Sequence, residues 1–279
     1  MSENRRMGLE PRRFLRTSSH LANIDRVFAL KTSIARTENW IREQALKESN
    51  RGSANVHNIY EEIISRIITS GEIESEHLPQ SPQQLIQKLK AAEDRSKEFS
   101  HFGLMSPVDT QNLITTIVNT SDATLHITWN VLKPYLDSVS ARLDALQETQ
   151  DLLKLFVSTV NRFFNDKKIE LHVRTGLNIA TENGQEISPE SLSSGEKQLL
   201  LLLCNTLTAR DKATIFIIDE PEISLNIKWQ RQLIRVLLDF TKGSLVQFLL
   251  ATHSSELLAQ YRWNVVKLQD VSNEMENGR

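Results

Sequence analysis

The 279-residue sequence has little of several residue types, and each shortage excludes a class of protein. Its single cysteine, Cys204, cannot form an internal disulfide. The Leu-Leu-Leu-Cys context predicts a small core residue in a reducing cytoplasm. Only nine glycines and seven prolines are present, which favours a globular chain rich in helix. No apolar run reaches the roughly 18 residues that a membrane helix needs.

An excess of charge of one sign is also missing, since 33 Lys and Arg face 35 Asp and Glu. The composition therefore gives no global footprint of nucleic-acid binding. The one local bias lies in residues 1–16, which carry five arginines without an apolar segment, so we expect no secretory signal there. Such a basic arm either contacts phosphates or forms a solvated tail, and the tail is the more common case.

The first 165 residues show helical spacing of apolar side chains. A stripe over 56–68 ends at Gly71, which predicts a helix stop. Ser81-Pro82 and Ser106-Pro107 each predict a helix start, with a capping serine followed by proline.

A long helix is predicted from Pro134 to about Asn165. Its apolar positions form a coiled-coil-like seam of two heptad rows: Leu136, Leu143, Gln150, Val157 and Phe164, and Val139, Leu146, Leu153 and Val160. A partner helix in this chain, a second copy, or simple docking on the chain's own core would each satisfy that seam.

Periodicity changes at Lys168. The segment to Ile187 predicts a hairpin, with a turn signal at Asn183-Gly184. Helices over 194–209, 227–240 and 254–260 then alternate with apolar strands over 213–218, 245–251 and 263–268. This order predicts an α/β fold with a parallel sheet covered on both faces. We place a domain boundary here, with a helical region over 1–165 and an α/β region over 166–279.

Three short segments carry candidate chemistry. Asp219 and Glu220 follow a buried strand at the edge where parallel sheets bind ligands, so the Asp fits Mg²⁺ and the Glu fits the attacking water. The alternative is an acidic pair that caps the next helix. Ser193, Ser194 and Gly195 open an apolar helix and suit a phosphate, although an N-cap with Glu196 explains them as well. His253 after a strand suits a γ-phosphate oxygen or a purely structural role.

Taken together and in this order, the segments resemble the soluble, non-transporter ABC-type ATPases. Leu192–Gln198 is similar to their signature motif and Ile215–Pro221 to Walker B with its catalytic glutamate. Ser224-Leu225-Asn226 stands where the D-loop would be, with Asn226 in place of the commoner Asp or His. Ala251–Ser254 is similar to the H-loop with its switch histidine.

The motif Asp-Glu-Pro-Glu-Ile-Ser-Leu-Asn over 219–226 is most similar to that of the overcoming-lysogenization-defect and RecF-SMC-like branch. This branch includes Septu- and retron-associated antiphage ATPases. The resemblance implies ATP and Mg²⁺ as cofactors and an ATP-gated dimeric clamp. Glu220 and His253 would be catalytic and Asp219 would hold the metal. Nucleotide contacts would come from Ser193, Ser194, Gly195, Glu196, Ser224 and Asn226.

No P-loop stands in this sequence. None of the nine glycines is followed by Lys-Ser or Lys-Thr. We therefore expect this chain to be the C-terminal portion of the ATPase, with a P-loop in a preceding segment or on another chain. Hydrogen bonds to charged groups contribute about 1.5–3 kcal/mol each before ordering costs, and a millimolar affinity needs about 4 kcal/mol net. The chain alone should therefore bind ATP at millimolar strength or weaker.

Two other functions stay open. One is a non-catalytic regulatory or scaffold subunit, with the helical region bound to an effector such as a nuclease or toxin. The other is a DNA-repair clamp, for which the arginines of residues 1–16 would contact nucleic acid. In each case we expect a cytoplasmic protein that acts as a homodimer or with a chain that carries a P-loop.

Overall fold

The computed structural model describes residues 26–47, 61, 64–65, 81–119 and 125–266. The chain divides into two compact units, Met1–Leu192 and Ser193–Arg279. The arginine-rich start and most of the stripe over 56–68 lie outside the described residues. The domain boundary near residue 165 stays a prediction. No helix in the described ranges is long and apolar enough to cross a membrane.

The first unit is mainly helical in its described part. Its helices are α1 over 26–47, α2 at Pro82–His101, α3 at Gln111–Val118 and α4 at Leu125–Phe163. An antiparallel hairpin follows, with β1 at Lys167–His172 and β2 at Gly176–Thr181, and then a 3-10 turn at Pro189–Ser191.

One of the two helix starts predicted from Ser-Pro pairs is right. Helix α2 begins at Pro82 as expected, although Ser81 makes no side-chain capping bond. The start at Ser106-Pro107 is wrong, because α3 begins only at Gln111. The intervening segment is held against α2 instead, since the Val108 amide donates to the Ser96 hydroxyl at 2.8 Å.

Helix α4 is longer than predicted, because Pro134 lies inside it and does not start it. Trp129 and Leu136, on either side of the proline, join the same apolar cluster as Leu85 and Leu89 of α2. That packing outweighs the one backbone hydrogen bond that a proline removes. Burial on both sides of the proline explains why the helix passes through it.

Most of the seam predicted on α4 is buried within this chain, while Val139 and Val157 are half-buried. Leu143, Leu146, Leu153 and Val160 are fully buried, and α2 packs against α4. Two ion pairs join these helices, Arg95–Asp144 at 2.7 Å and Lys154–Glu98 at 2.8 Å. Helix α4 therefore has a partner helix in its own chain.

The second unit alternates helices and strands at close to the predicted bounds. They are α5 at Ser194–Thr208, β3 at Thr214–Asp219, α6 at Ile227–Thr241, β4 at Val246–Ala251 and α7 at Ser255–Gln260. The last strand, expected over 263–268, is wrong in its described part. Arg262–Asn264 form a 3-10 turn there, closed by the Asn264 amide donating to the Tyr261 carbonyl at 2.8 Å.

Strands β3 and β4 pair in parallel, with Thr214 opposite Val246 and Asp219 opposite Ala251. Phe216 and Phe248 stack on one face, with ring centroids 5.6 Å apart. The other face carries Ile215, Ile217 and Leu249, which are 67, 75 and 60% exposed. We expected both faces of the parallel sheet to be covered. Within the described residues only the face that carries Phe216 and Phe248 is covered.

A surface ion pair in the first unit generates a prediction about titration. Lys31 of α1 pairs with Glu190, which also accepts a hydrogen bond from the Ser188 hydroxyl. The Lys31 ammonium first, and the Ser188 hydroxyl second, lower the pKa of Glu190 from 4.5 to about 2. This carboxylate stabilises the fold fully above pH 4.5 and loses that contribution as the pH falls toward 2.

Replacing Lys31 with Ala should therefore raise the pKa of Glu190 back toward 4.5. Side-chain carbon NMR across a pH titration measures this value directly. Lys154→Ala is the matched control, since it removes a similar surface partner from Glu98 and should leave Glu190 unchanged. An equal pKa of Glu190 in wild type and Lys31→Ala would contradict the assignment.

Candidate functional site

The carboxyl ends of β3 and β4 lie at one edge of the parallel sheet. Asp219 ends β3 opposite Ala251, and the Glu220 amide donates to the Ala251 carbonyl at 2.8 Å. His253 follows two residues after Ala251 and is exposed, as is Asp219, while Glu220 is half-buried. The structure thus brings Asp219, Glu220 and His253 to the same edge, as the sequence predicted.

The loop after β3 is a tight turn. Glu220 and Ser224 have positive φ angles, 44° and 67°, in the region that side chains other than glycine rarely adopt. The Ile223 amide donates to the Glu220 carbonyl at 3.0 Å, and Leu225 donates to Glu222 at 2.9 Å. Backbone strain of this kind concentrates at functional sites, where the surrounding structure holds it in place.

The signature segment begins α5 with a capping box. The Glu196 amide donates to the Ser193 hydroxyl at 3.3 Å, and the Ser193 amide donates to the Glu196 carboxylate at 2.7 Å. The structure therefore confirms that Ser193 is the N-cap of α5 and that Glu196 completes the cap. It leaves the Ser193 hydroxyl proton available for an anion, because the cap uses that oxygen only as an acceptor. Ser193 and Ser194 are both exposed.

At Gly195 the signature helix packs closely against the D-loop segment within the second unit. A Cβ built on Gly195 would lie 2.5 Å from the Ser224 carbonyl oxygen and 3.5 Å from the Trp229 ring. Only a residue without a side chain permits this approach. Asn226, the last residue of the D-loop segment, is the N-cap of α6 and accepts from the Trp229 amide at 2.9 Å.

The sequence predicted no role for Glu222. Its Oε1 accepts from the Thr252 hydroxyl at 2.6 Å and from the His253 and Ser254 amides, each at 3.1 Å. The only sequence signal was a third acidic residue in Asp-Glu-Pro-Glu, directly after the strand. Nothing in the order of residues indicates that it faces the H-loop thirty positions later.

Metal binding at this edge would need ligands in addition to the described residues. Within the described residues, no three His, Cys, Asp or Glu side chains form a cluster. Asp219 offers an exposed carboxylate, which is the type of ligand that Mg²⁺ takes together with phosphate and water oxygens. The described residues of the site fit a metal ion that arrives with a phosphate and do not form an all-protein metal cage.

The contact at Gly195 generates a stability prediction. The methyl group that Gly195→Ala adds forces the Ser224 backbone to move, at a cost of about 1–3 kcal/mol. The preference of a helix for Ala over Gly offsets about 1 kcal/mol of that cost, so the free energy of unfolding should fall by up to about 2 kcal/mol. Urea unfolding measures the change. Ser194→Ala, at the exposed neighbouring position, is the control, and equal stability of the two variants would show that the contact is loose.

Comparison with known proteins places the chain in a family. The profile described as "AAA domain, putative AbiEii toxin, Type IV TA system" matches residues 79–259, more than half of the chain. A search among curated proteins found no significant match.

Solved structures similar to this chain include three heads of Smc proteins. One is the SmcHead bound to the C-winged helix domain of ScpA, with 16% identity, TM-score 0.31, and coverage of 43% of this chain and 40% of that one. The second, derived from Pyrococcus furiosus and bound to the C-terminal domain of ScpA, has 12% identity, TM-score 0.33 and coverage of 78% and 51%. The third, from Pyrococcus yayanosii, has 16% identity, TM-score 0.31 and coverage of 89% and 59%.

This chain spans between 40% and 59% of the length of those structures. The predicted α/β class, with a mainly helical first part, is confirmed by the fold and by the family match. The chain belongs to the family described as "AAA domain, putative AbiEii toxin, Type IV TA system".

Proposed function

We propose that this chain supplies the signature, Walker-B and switch-histidine half of an ATPase that acts as an ATP-gated dimeric clamp. The observation that carries the proposal is the pairing of Asp219 with Ala251, which brings two carboxylates and a histidine to the ligand-binding edge of a parallel sheet. The matching P-loop would come from another chain or from a segment outside this sequence.

Each residue at the edge has a chemical role in this proposal. Asp219 would hold Mg²⁺, which neutralises charge on the phosphates when it is bound. Glu220, half-buried on its strained turn, accepts a proton from the attacking water. His253 donates a hydrogen bond to a γ-phosphate oxygen. These groups share one edge because the ladder from β3 continues through the Glu220 amide to the Ala251 carbonyl.

The start of α5 would serve the ATP of the opposite subunit. Ser193 and Ser194 are exposed at a helix N-terminus, where backbone amides and the helix dipole favour an anion. The Ser193 hydroxyl accepts from the helix as its N-cap and donates to the phosphate. Glu196 holds the cap, because its carboxylate accepts from the Ser193 amide, and its contact with the nucleotide stays a prediction.

A non-catalytic scaffold subunit is the second candidate, and the absence of a P-loop motif from the sequence favours it. The detailed hydrogen bonding around His253 favours the catalytic assignment, since a scaffold does not need an ordered switch histidine. Effector binding through the helical unit, a role in antiphage defence and DNA binding through the arginines of residues 1–16 stay predictions.

Glu220→Gln tests the catalytic proposal in the complete assembly that supplies a P-loop. Removal of a general base should lower ATP turnover by roughly a hundredfold to ten-thousandfold. ATP should then remain bound and hold the dimer together, which light scattering on eluted complexes detects. Glu256→Gln is the matched control, because Glu256 is a surface carboxylate that pairs with Arg231 at 2.7 Å. Unchanged turnover of Glu220→Gln would refute the role of Glu220.

A further inference from the structure

We propose that Glu222 is a positioning residue for His253: its carboxylate fixes the backbone on both sides of the histidine and so sets where the imidazole lies. The proposal rests on the proposed function for the role of His253 at a phosphate, but the geometry of the contact stands apart from it. Glu222 is separate from the acidic pair Asp219-Glu220, and its side chain binds the H-loop.

The hydrogen bonds to Glu222 define two peptide planes. The His253 amide belongs to the peptide that precedes the His253 Cα, and the Ser254 amide belongs to the peptide that follows it. Both donate to the same oxygen, Oε1 of Glu222, at 3.1 Å. Successive amides that converge on one anionic oxygen form a concave nest. With both flanking planes fixed, φ and ψ of His253 are fixed, and the direction of its Cβ follows.

The Glu222 side chain starts from a rigid backbone. Glu222 lies in the turn between Glu220 and Ser224, the two residues with positive φ. Its own carbonyl accepts from the Leu225 amide at 2.9 Å. Glu222, which binds the H-loop, therefore belongs to the same turn as Glu220. The positions of Glu220 and His253 both depend on that turn.

A second set of hydrogen bonds holds the H-loop from the side of α6. The Ser254 hydroxyl donates to Gln230 Oε1 at 2.9 Å, and Gln230 Nε2 donates to the Leu225 carbonyl at 2.9 Å. The Ser254 amide is also shared with the Thr252 hydroxyl at 3.0 Å. A closed ring thus runs from Glu222 through the H-loop and Gln230 back to the turn after β3.

Helix capping does not explain the position of Glu222. Helix α6 has Asn226 as its N-cap and α7 has Ser254, whose hydroxyl accepts from the Leu257 amide at 3.4 Å. Glu222 binds the amide of the capping residue itself and of the histidine before it. Its other oxygen, Oε2, is buried and has no hydrogen-bond partner among the described residues. Burying Oε2 without a partner costs free energy, and the hydrogen bonds that Oε1 accepts from the H-loop offset that cost.

Amide exchange on the isotope-labelled full chain tests the geometry without any nucleotide. Glu222→Ala should speed exchange of the His253 amide by at least about tenfold, because its acceptor is gone. Exchange of the Ser254 amide should rise less, because Ser254 keeps the Thr252 hydroxyl as a second acceptor. The Glu220 amide, bonded to Ala251 in the sheet ladder, should keep its protection. Glu222→Gln keeps an acceptor at Oε1 and should restore most of the protection. Glu222→Met, a side chain of similar length without a strong acceptor, takes the place of the Ala variant if that variant does not fold. Unchanged exchange of the His253 amide in the variant without an acceptor would overturn the proposal, and so would exchange in Glu222→Gln that is as fast as in that variant.

Steady-state kinetics in the P-loop-bearing assembly test the consequence for His253. Glu222→Ala should lower kcat by roughly tenfold to a hundredfold with KM unchanged, as expected for a displaced catalytic group. In a His253→Ala background the same change should have no further effect, because it acts through the imidazole. An equal loss in both backgrounds would overturn the positioning role.

The two experiments separate failure of this proposal from failure of the proposed function. If His253→Ala alone leaves turnover unchanged, the catalytic assignment of the histidine fails, and amide exchange still decides whether Glu222 fixes the H-loop. Glu256→Gln is the matched control in both experiments, since Glu256 lies in α7 near the H-loop but pairs with Arg231.

Discussion

The parallel pairing of β3 with β4 is the constraint on which the rest of the second unit depends. Its register sets Asp219 opposite Ala251, so the loops that follow both strands begin at the same edge. Parallel strands deliver their carboxyl ends together, and that is why such edges bind ligands. A shift by one residue would turn the alternating side chains of one strand to the opposite face and separate Asp219 from the H-loop.

Side-chain hydrogen bonds complete what the strands begin. The hydrogen bonds between β3 and β4 alone would bring the loops that follow them near each other without fixing one loop against the other. Glu222 joins them by binding the H-loop amides, and Gln230 closes the ring from α6. Gly195 brings the start of α5 onto the carbonyl of Ser224 in the same turn. The D-loop segment is therefore the common neighbour of the signature helix and the H-loop within the second unit.

Local patterns in the sequence predicted the helices and strands of residues 194–260, because apolar strands and capping serines act over a few residues. They predicted the edge that carries Asp219, Glu220 and His253. They failed where distant packing decides: Pro134 lies inside α4 because Trp129 packs into the cluster of Leu85 and Leu89. The role of Glu222 was not predicted for the same reason, since its hydrogen-bond partners lie thirty residues or more along the chain. The exposed Ile215 and Ile217 show that apolar strands do not reveal how many faces the described chain covers.

Paramagnetic NMR with Mn²⁺–ATP measures nucleotide binding at this edge, because it detects binding at millimolar strength and maps it by distance. In the isotope-labelled chain, the amides at 219–224 and 252–254 should broaden selectively, with those of Thr214 and Val246 at the opposite ends of β3 and β4 as an internal reference. Replacing Asp219 with Asn should remove that broadening. Broadening that is uniform, or that is centred on Thr214 and Val246 and unaffected by the Asn variant, would show that ATP does not bind where β3 and β4 end.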